Sequence, residues 1–216
     1  VRLKRYLRDQ LDADGHPVYV KKTGEESKVR AQLALDLFDD VESVEDLDAV
    51  DDIREEFLAL ATDVRYFGAT LSFNADSNEE LLEAAKEQFP SQFTGPVQFS
   101  PARSLNAVET NEETSKLTSV IATQTDKEQG GYGLDDHRIK YGIFPFHGLV
   151  DEHGARDTNL TPADVARLDT LCWRALKNQT ISRSKVGQEP RLYLRVEYRT
   201  TGYPVGDLPH DVRLDQ

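Results

Sequence analysis

The sequence predicts an α+β fold, a sheet with helices on one face, and three observations predict it. Leu3, Leu7 and Leu11 recur at helical spacing near the start, as do Val165, Leu168, Leu171, Cys172 and Leu176 late in the chain. Leu192, Leu194, Val196 and Tyr198 alternate with polar residues at strand spacing. Segments of the two kinds are interspersed, with long insertions, rather than alternating as regular strand–helix units. The 216 residues, 38% of them hydrophobic, suffice for one core, and 1–216 is read as a single domain.

The opening segment is an amphipathic helix whose other faces carry Lys4, Arg5 and Arg8, and Gly15 and Pro17 stop it. Residues 27–38 repeat the pattern with Val29, Leu33 and Leu37, and 44–61 forms one more helix or two short ones with its acids facing solvent. Residues 64–73, rich in aromatic and β-branched types, favour a strand, with Gly68 marking a bulge or a close approach. A helix over 78–89 follows, with Asn78 as N-cap and Glu79 and Glu80 in its first turn. Residues 95–108 read as an irregular strand running into a polar loop, and 109–136, poor in large apolar residues and holding Gly130, Gly131 and Gly133, as an exposed excursion or flexible hairpin.

Residues 138–150 read as a strand with Ile139, Tyr141 and Ile143 on one face and Pro145 at an edge or bend. The clearest helix start is Thr161, with Pro162 at the first helical position and Asp164 in the first turn; that helix should run to about Asn178. After a Ser/Arg/Lys/Gly loop, 191–200 reads as a half-buried strand with one charged face.

Charge frames the function. The 39 acidic against 26 basic residues give a net charge of -13, which on its face opposes a polyanionic partner. Acid-rich surfaces suit high internal salt, where at roughly 1 M charges beyond about 3 Å are largely screened. The charges are also unevenly placed: eleven acids and only Arg54 as a base lie within 36–56, whereas Arg2, Lys4, Arg5 and Arg8 open the chain with no acid among them. An acidic exterior can therefore carry a basic groove. The single Cys172 excludes an internal disulfide and reads as core packing, and no apolar run approaches the length of about 20 residues that a membrane span needs. With no signal peptide visible, the chain is expected to be cytoplasmic, so the sequons at Asn159 and Asn178 are chance matches. The chain has no Met and opens inside a helix-like segment, so an upstream segment is expected.

Asp135, Asp136 and His137 are the best candidates for a metal-dependent hydrolase, since carboxylates and imidazole can hold a cation that activates water, but no second ligand cluster accompanies them. The glycines at 130, 131 and 133 lack the strand and the Gly-Lys-Ser/Thr of a phosphate loop, and Ser104 with His147 lacks a nucleophile elbow. What remains is three basic, hydrogen-bond-rich segments: RLKRYLR at 2–8, QFSPARSLN at 98–106 and SRSKVGQ at 182–188. Arg and Lys neutralise phosphates while Ser, Asn and Gln bond phosphate or sugar oxygens, which are the parts of a site that reads a nucleic-acid backbone.

Through these segments, and through VRLKRYLRDQL, DVRYFGATLSF, TGPVQFSPARSLN, GGYGLDDHRIKYGIFPFHG and SRSKVGQEPRLYLRVEY, nearly the whole chain resembles the backbone subunit of the type I CRISPR surveillance complex, Cascade, in its I-B branch, a member of the RAMP superfamily. The resemblance implies a modified RRM/ferredoxin-like palm with finger and thumb insertions, here a helical insertion at 22–62 and a thumb-like excursion at 109–137. It implies copies stacked in a helical filament on CRISPR guide RNA, gripping phosphates and displaying bases for pairing with target DNA in antiviral defence, alongside other Cascade subunits. It implies no catalysis, no cofactor and no metal, cleavage falling to a separately recruited nuclease.

Position by position, the resemblance assigns RNA contacts to Lys4, Arg5 and Arg8; to Gln98, Ser100, Arg103, Ser104 and Asn106; to His137 and Arg138 by the thumb; and to Ser182, Arg183, Ser184 and Lys185. One departure is plain: the family begins with a strand upstream of the first helix, so the first palm strand is expected to be missing here. The alternatives are a metal-dependent ribonuclease built on Asp135, Asp136 and His137, and a protein-only assembly factor using the acidic 36–56 stretch.

Overall fold

A computed structural model describes residues 2–21, 30–71, 80–110, 115–119, 132–136, 139–179 and 187–200. The elements are α1 Arg2–Ala13, α2 Arg30–Leu35, α3 Val44–Asp48, α4 Ile53–Leu60, α5 Thr62–Phe67, β1 Gly68–Thr70, α6 Glu80–Gln88, β2 Gln92–Thr94, β3 Val97–Phe99, β4 Ser115–Ser119, β5 Tyr132–Asp136, β6 Gly148–Val150, α7 Glu152–Asp157 and α8 Pro162–Lys177. The fold is α+β. Among the described residues, however, the strands form three two-stranded pairs, β1–β2, β3–β6 and β4–β5, in place of the single sheet expected.

The chain divides into two compact units, Val1–Gln98 with Gly148–Gln216, and Phe99–His147. The first holds the principal core. Tyr19, Phe57 and Phe89 meet edge to face with centroids 5.5 Å apart at each step, Phe38 joins Phe89 at 5.8 Å, and Leu35, Leu47, Leu58, Val64, Leu71, Leu82 and Phe93 fill the space around them. Such ring pairs add about 0.5–1.5 kcal/mol each beyond the area they bury. The acids of α3 and α4 stay outside, as their spacing against Leu47, Phe57 and Leu58 predicts. The region splits into two helices because each start has its own cap: Ser43 forms a capping box with Asp46, and Asp52 accepts from the Glu55 N–H.

A second packing seam joins α1 to α8 through buried Leu7 and Leu11 on one and Leu168, Leu171 and Ala175 on the other. Arg174 clamps both carboxylate oxygens of Asp14 at 2.7 and 2.9 Å where α1 ends. The start of α8 is the one the sequence announces: Thr161 and Asp164 form a capping box around Pro162.

Three strand expectations are overturned. Residues 62–67 are helical, not extended. Thr62, Asp63, Val64, Tyr66 and Phe67 are all buried, so the segment is covered on nearly every side and its composition cannot distinguish helix from strand. Gly68, at φ +67°, then ends the helix, and among the described residues of the stretch only Gly68–Thr70 pairs as a strand, in the register Gly68 with Thr94 and Thr70 with Gln92.

Among the described residues 139–150, only Gly148–Val150 is a strand, beside an isolated bridge from Ile139 to Thr110. Ile139, Tyr141 and Ile143 are exposed instead of sharing a buried face. The segment meets 100–105 at scattered points, Ser100 N–H to His147 O, Arg103 N–H to Pro145 O and Leu105 N–H to Ile143 O, and Pro101 and Pro145 cannot donate to a continuous ladder.

Residues 191–198 form no strand and no half-buried face. Tyr193 donates to Asp169 Oδ1 at 2.7 Å and Arg195 to Asp169 Oδ2 at 2.9 Å, so the polar alternation turns toward α8 while Leu192, Leu194 and Val196 face solvent.

The second unit contains the β4–β5 antiparallel ladder, paired from Ser115 with Asp136 to Ser119 with Tyr132. It lies inside the 109–136 stretch where a hairpin was expected.

Candidate nucleic-acid interface

In the first unit α1 brings Lys4 and Arg8, one turn apart, onto the same aromatic ring. The Lys4 Nζ sits 5.5 Å and the Arg8 Cζ 5.2 Å from the Phe67 centroid, both over the ring. Arg8 donates from Nε to Asp63 Oδ2 at 2.7 Å. Asp63 is fully buried and also accepts the backbone N–H of Tyr19 at 2.7 Å and of Val20 at 3.2 Å. Its carboxylate is thus fixed from two sides, and it fixes Arg8 in turn.

Lys4 has a neutral partner, the Oε1 of Gln98 at 3.2 Å. The Gln98 amide nitrogen donates to the Gly95 carbonyl at 2.8 Å, which fixes the amide so that its oxygen faces the lysine. Burial and then the charge of Arg8 hold the Lys4 ammonium below its usual range. Arg5 is exposed, and no described residue pairs with it.

The second unit treats its polar motif differently. Ser100 Oγ accepts the His147 N–H at 3.0 Å, Ser104 Oγ donates to Asn106 O at 2.9 Å, and Asn106 accepts the Ile143 N–H at 3.0 Å while donating to Ala107 O at 2.8 Å. These three side chains brace the loop on itself. The Arg103 side chain is exposed and without a described partner. His137, Arg138, Ser182, Arg183, Ser184 and Lys185 lie outside the described residues.

Sequence reasoning missed Asp63 and Phe67. A signal for the first was present, since Asp63 is the lone acid in the apolar run 57–73 and a buried carboxylate needs partners. Phe67 gave none, because an aromatic beneath two cations looks in sequence like any core residue.

The profile of the CRISPR-associated protein Cas7 family matches residues 1–215. The chain belongs to the Cas7 family. It is 58% identical to the CRISPR-associated protein Cas7 of Haloferax volcanii over 217 residues, which take in 99% of this chain and 64% of that protein. The Cas7-family chain therefore spans somewhat under two thirds of the relative's length.

In this Cas7-family chain, no group of three or more His, Cys, Asp or Glu that could hold a metal occurs among the described residues. Asp135 and Asp136 pair on β5 with Lys116 and Ser115 of β4. No helix among the described residues is long and apolar enough to cross a membrane.

Proposed function

We propose that this Cas7-family chain binds CRISPR guide RNA along its sugar-phosphate backbone, as part of a multi-copy scaffold subunit of a type I-B Cascade complex. Copies stack on the guide and leave its bases free to pair with target DNA, with other Cascade subunits completing the assembly. The chain does no chemistry itself and works in a salt-rich cytoplasm. On this reading a modified RRM-like palm carries a helical insertion at 22–62 and a thumb at 109–137 that contains β4–β5. The contacts are Lys4, Arg5, Arg8 and Arg103 directly, with Gln98 at the site through its bond to Lys4 and Ser100, Ser104 and Asn106 shaping the loop around Arg103. His137, Arg138, Ser182, Arg183, Ser184 and Lys185 complete the proposed set.

The observation that carries the reading is the convergence of Lys4 and Arg8 on one aromatic ring, with a carboxylate pairing Arg8 but none pairing Lys4 among the described residues, in a chain whose net charge is -13. Local positive charge kept against the global balance is what a sequence-blind phosphate site requires.

Lys4→Ala in the full-length protein should weaken guide-RNA binding alike for unrelated guide sequences. It should also flatten the salt dependence by about one unit of log–log slope. Unchanged affinity and slope would overturn the reading. Native protein that purifies with no bound small RNA would favour a protein-only role for the acidic 36–56 surface instead.

A further inference from the structure

We infer that Phe67 and Asp63 are positioning residues that hold Lys4 and Arg8 as a preformed cradle for one phosphodiester of the bound RNA. The inference rests on the RNA-binding reading above and adds to it which residues make the site and why it takes phosphate instead of a base.

Like charges one helical turn apart repel, and left alone two long side chains would splay into solvent. Here both cations lie over the Phe67 ring, Lys4 at 5.5 Å and Arg8 at 5.2 Å from its centroid. The attraction of a ring face for cations offsets part of that repulsion. The one acid in contact is Asp63, and its two oxygens already serve the Tyr19 and Val20 N–H groups as well as Arg8 Nε. Arg8 thus has a carboxylate that also serves two backbone N–H groups, and among the described residues Lys4 has only the neutral Gln98. The arrangement keeps an uncompensated positive charge that an anion between the two side chains would relieve.

Rigidity makes the charge useful. Asp63 is buried and cannot follow a moving guanidinium, and Gln98 is anchored to the Gly95 carbonyl. Arg8 spends its Nε on Asp63, and no described residue accepts from its Nη nitrogens, so that edge of the guanidinium is left for an oxyanion. Only 16% of the Arg8 side chain is exposed, so it need not be gathered from solvent when a ligand arrives.

A stacked base is excluded by the same geometry. Phe67 is 8% exposed and two cations lie over its ring, so it offers no platform for a nucleobase. A point charge and a planar fork one helical turn apart suit the oxygens of a phosphate.

The test is a set of full-length variants assayed for guide-RNA affinity at several salt concentrations, with thermal unfolding run alongside. Phe67→Leu keeps apolar bulk and removes the ring; it should lower affinity about fivefold, since Lys4 and Arg8 must then be ordered on binding. Phe67→Tyr should restore affinity to within about twofold, because the ring face is kept. In a Lys4→Ala/Arg8→Ala background, Phe67→Leu should have no further effect, a coupling that a purely structural role would not produce.

Should Phe67→Leu unfold the protein, Gln98→Ala asks the same question from outside the core: an affinity loss that vanishes in the Lys4→Ala background supports the cradle, and no loss overturns it. If Lys4→Ala weakens binding while Phe67→Leu binds like the parent, the positioning role fails and the RNA-binding reading survives. If Lys4→Ala itself changes nothing, both fall.

Discussion

Arg65 grips Asp164 with two nitrogens, Nε to Oδ2 at 3.1 Å and Nη2 to Oδ1 at 3.2 Å, joining α5 to the first turn of α8 across 99 positions of sequence. Arg167 adds a third contact to Oδ1 at 2.7 Å, and the Tyr66 hydroxyl donates to the Asp164 carbonyl at 2.7 Å. Asp164 is 2% exposed, so its removal leaves two guanidinium groups without their carboxylate and deletes the capping box of α8. Asp164→Ala should destabilise the protein by about 3 kcal/mol, read as a lower denaturant midpoint with an unchanged slope.

The same carboxylate fixes part of the acid response. Burial pushes the Asp164 carboxyl upward, but the bonds from Arg65 and Thr161 outweigh it and hold the group below its ordinary value. A depressed folded value means the contribution is complete above the unfolded value, about 3.9, and is lost as pH falls from there through the folded value. Stability followed by urea unfolding should therefore drop below about pH 4, and Asp164→Asn should start lower and lose less across that window.

Gly68 and Gly95 let two backbones cross at a separation that no side chain permits. A Cβ on Gly95 would sit 2.1 Å from the Phe67 carbonyl carbon, and one on Gly68 would sit 2.2 Å from the Phe93 oxygen. Both obstacles are backbone and cannot rotate away. Gly95→Ala should cost about 3 kcal/mol, visible as a fall in thermal midpoint, whereas Gly142→Ala, facing the movable side chains of Phe144 and Ile139, should cost far less.

Burial, then the charge of Asp169, pushes the Cys172 thiol up to about 12. In the folded protein near pH 8 its thiolate is scarce and shielded. Iodoacetamide should label it on the order of 100-fold more slowly than in the urea-unfolded chain, and mass spectrometry of timed samples reads the ratio directly.

The helices were largely legible because their signals are local. Thr161, Pro162 and Asp164 announce α8 within four residues, and the leucines of α1 mark its buried face before any partner is known. The strands were not, because a strand is defined by a neighbour the alternation cannot name. Residues 191–198 carry a strand pattern, but Asp169 takes Tyr193 and Arg195 and leaves the apolar members outside. The interface divides along the same line. That α1 presents Lys4, Arg5 and Arg8 is visible in seven letters; that Arg8 is held by Asp63, 55 positions away, is a tertiary fact. Ser104 and Asn106 have the right chemistry for sugar and phosphate, yet their nearest acceptors are in their own loop.

The outward set of Leu192, Leu194 and Val196 bears on handling the chain in dilute buffer. A set of uncovered aliphatic side chains close together in the chain favours self-association, and no Pro interrupts 191–198. Preparations should cloud as protein concentration rises, and a lysine in place of Leu194 should clear them without disturbing the tie to Asp169.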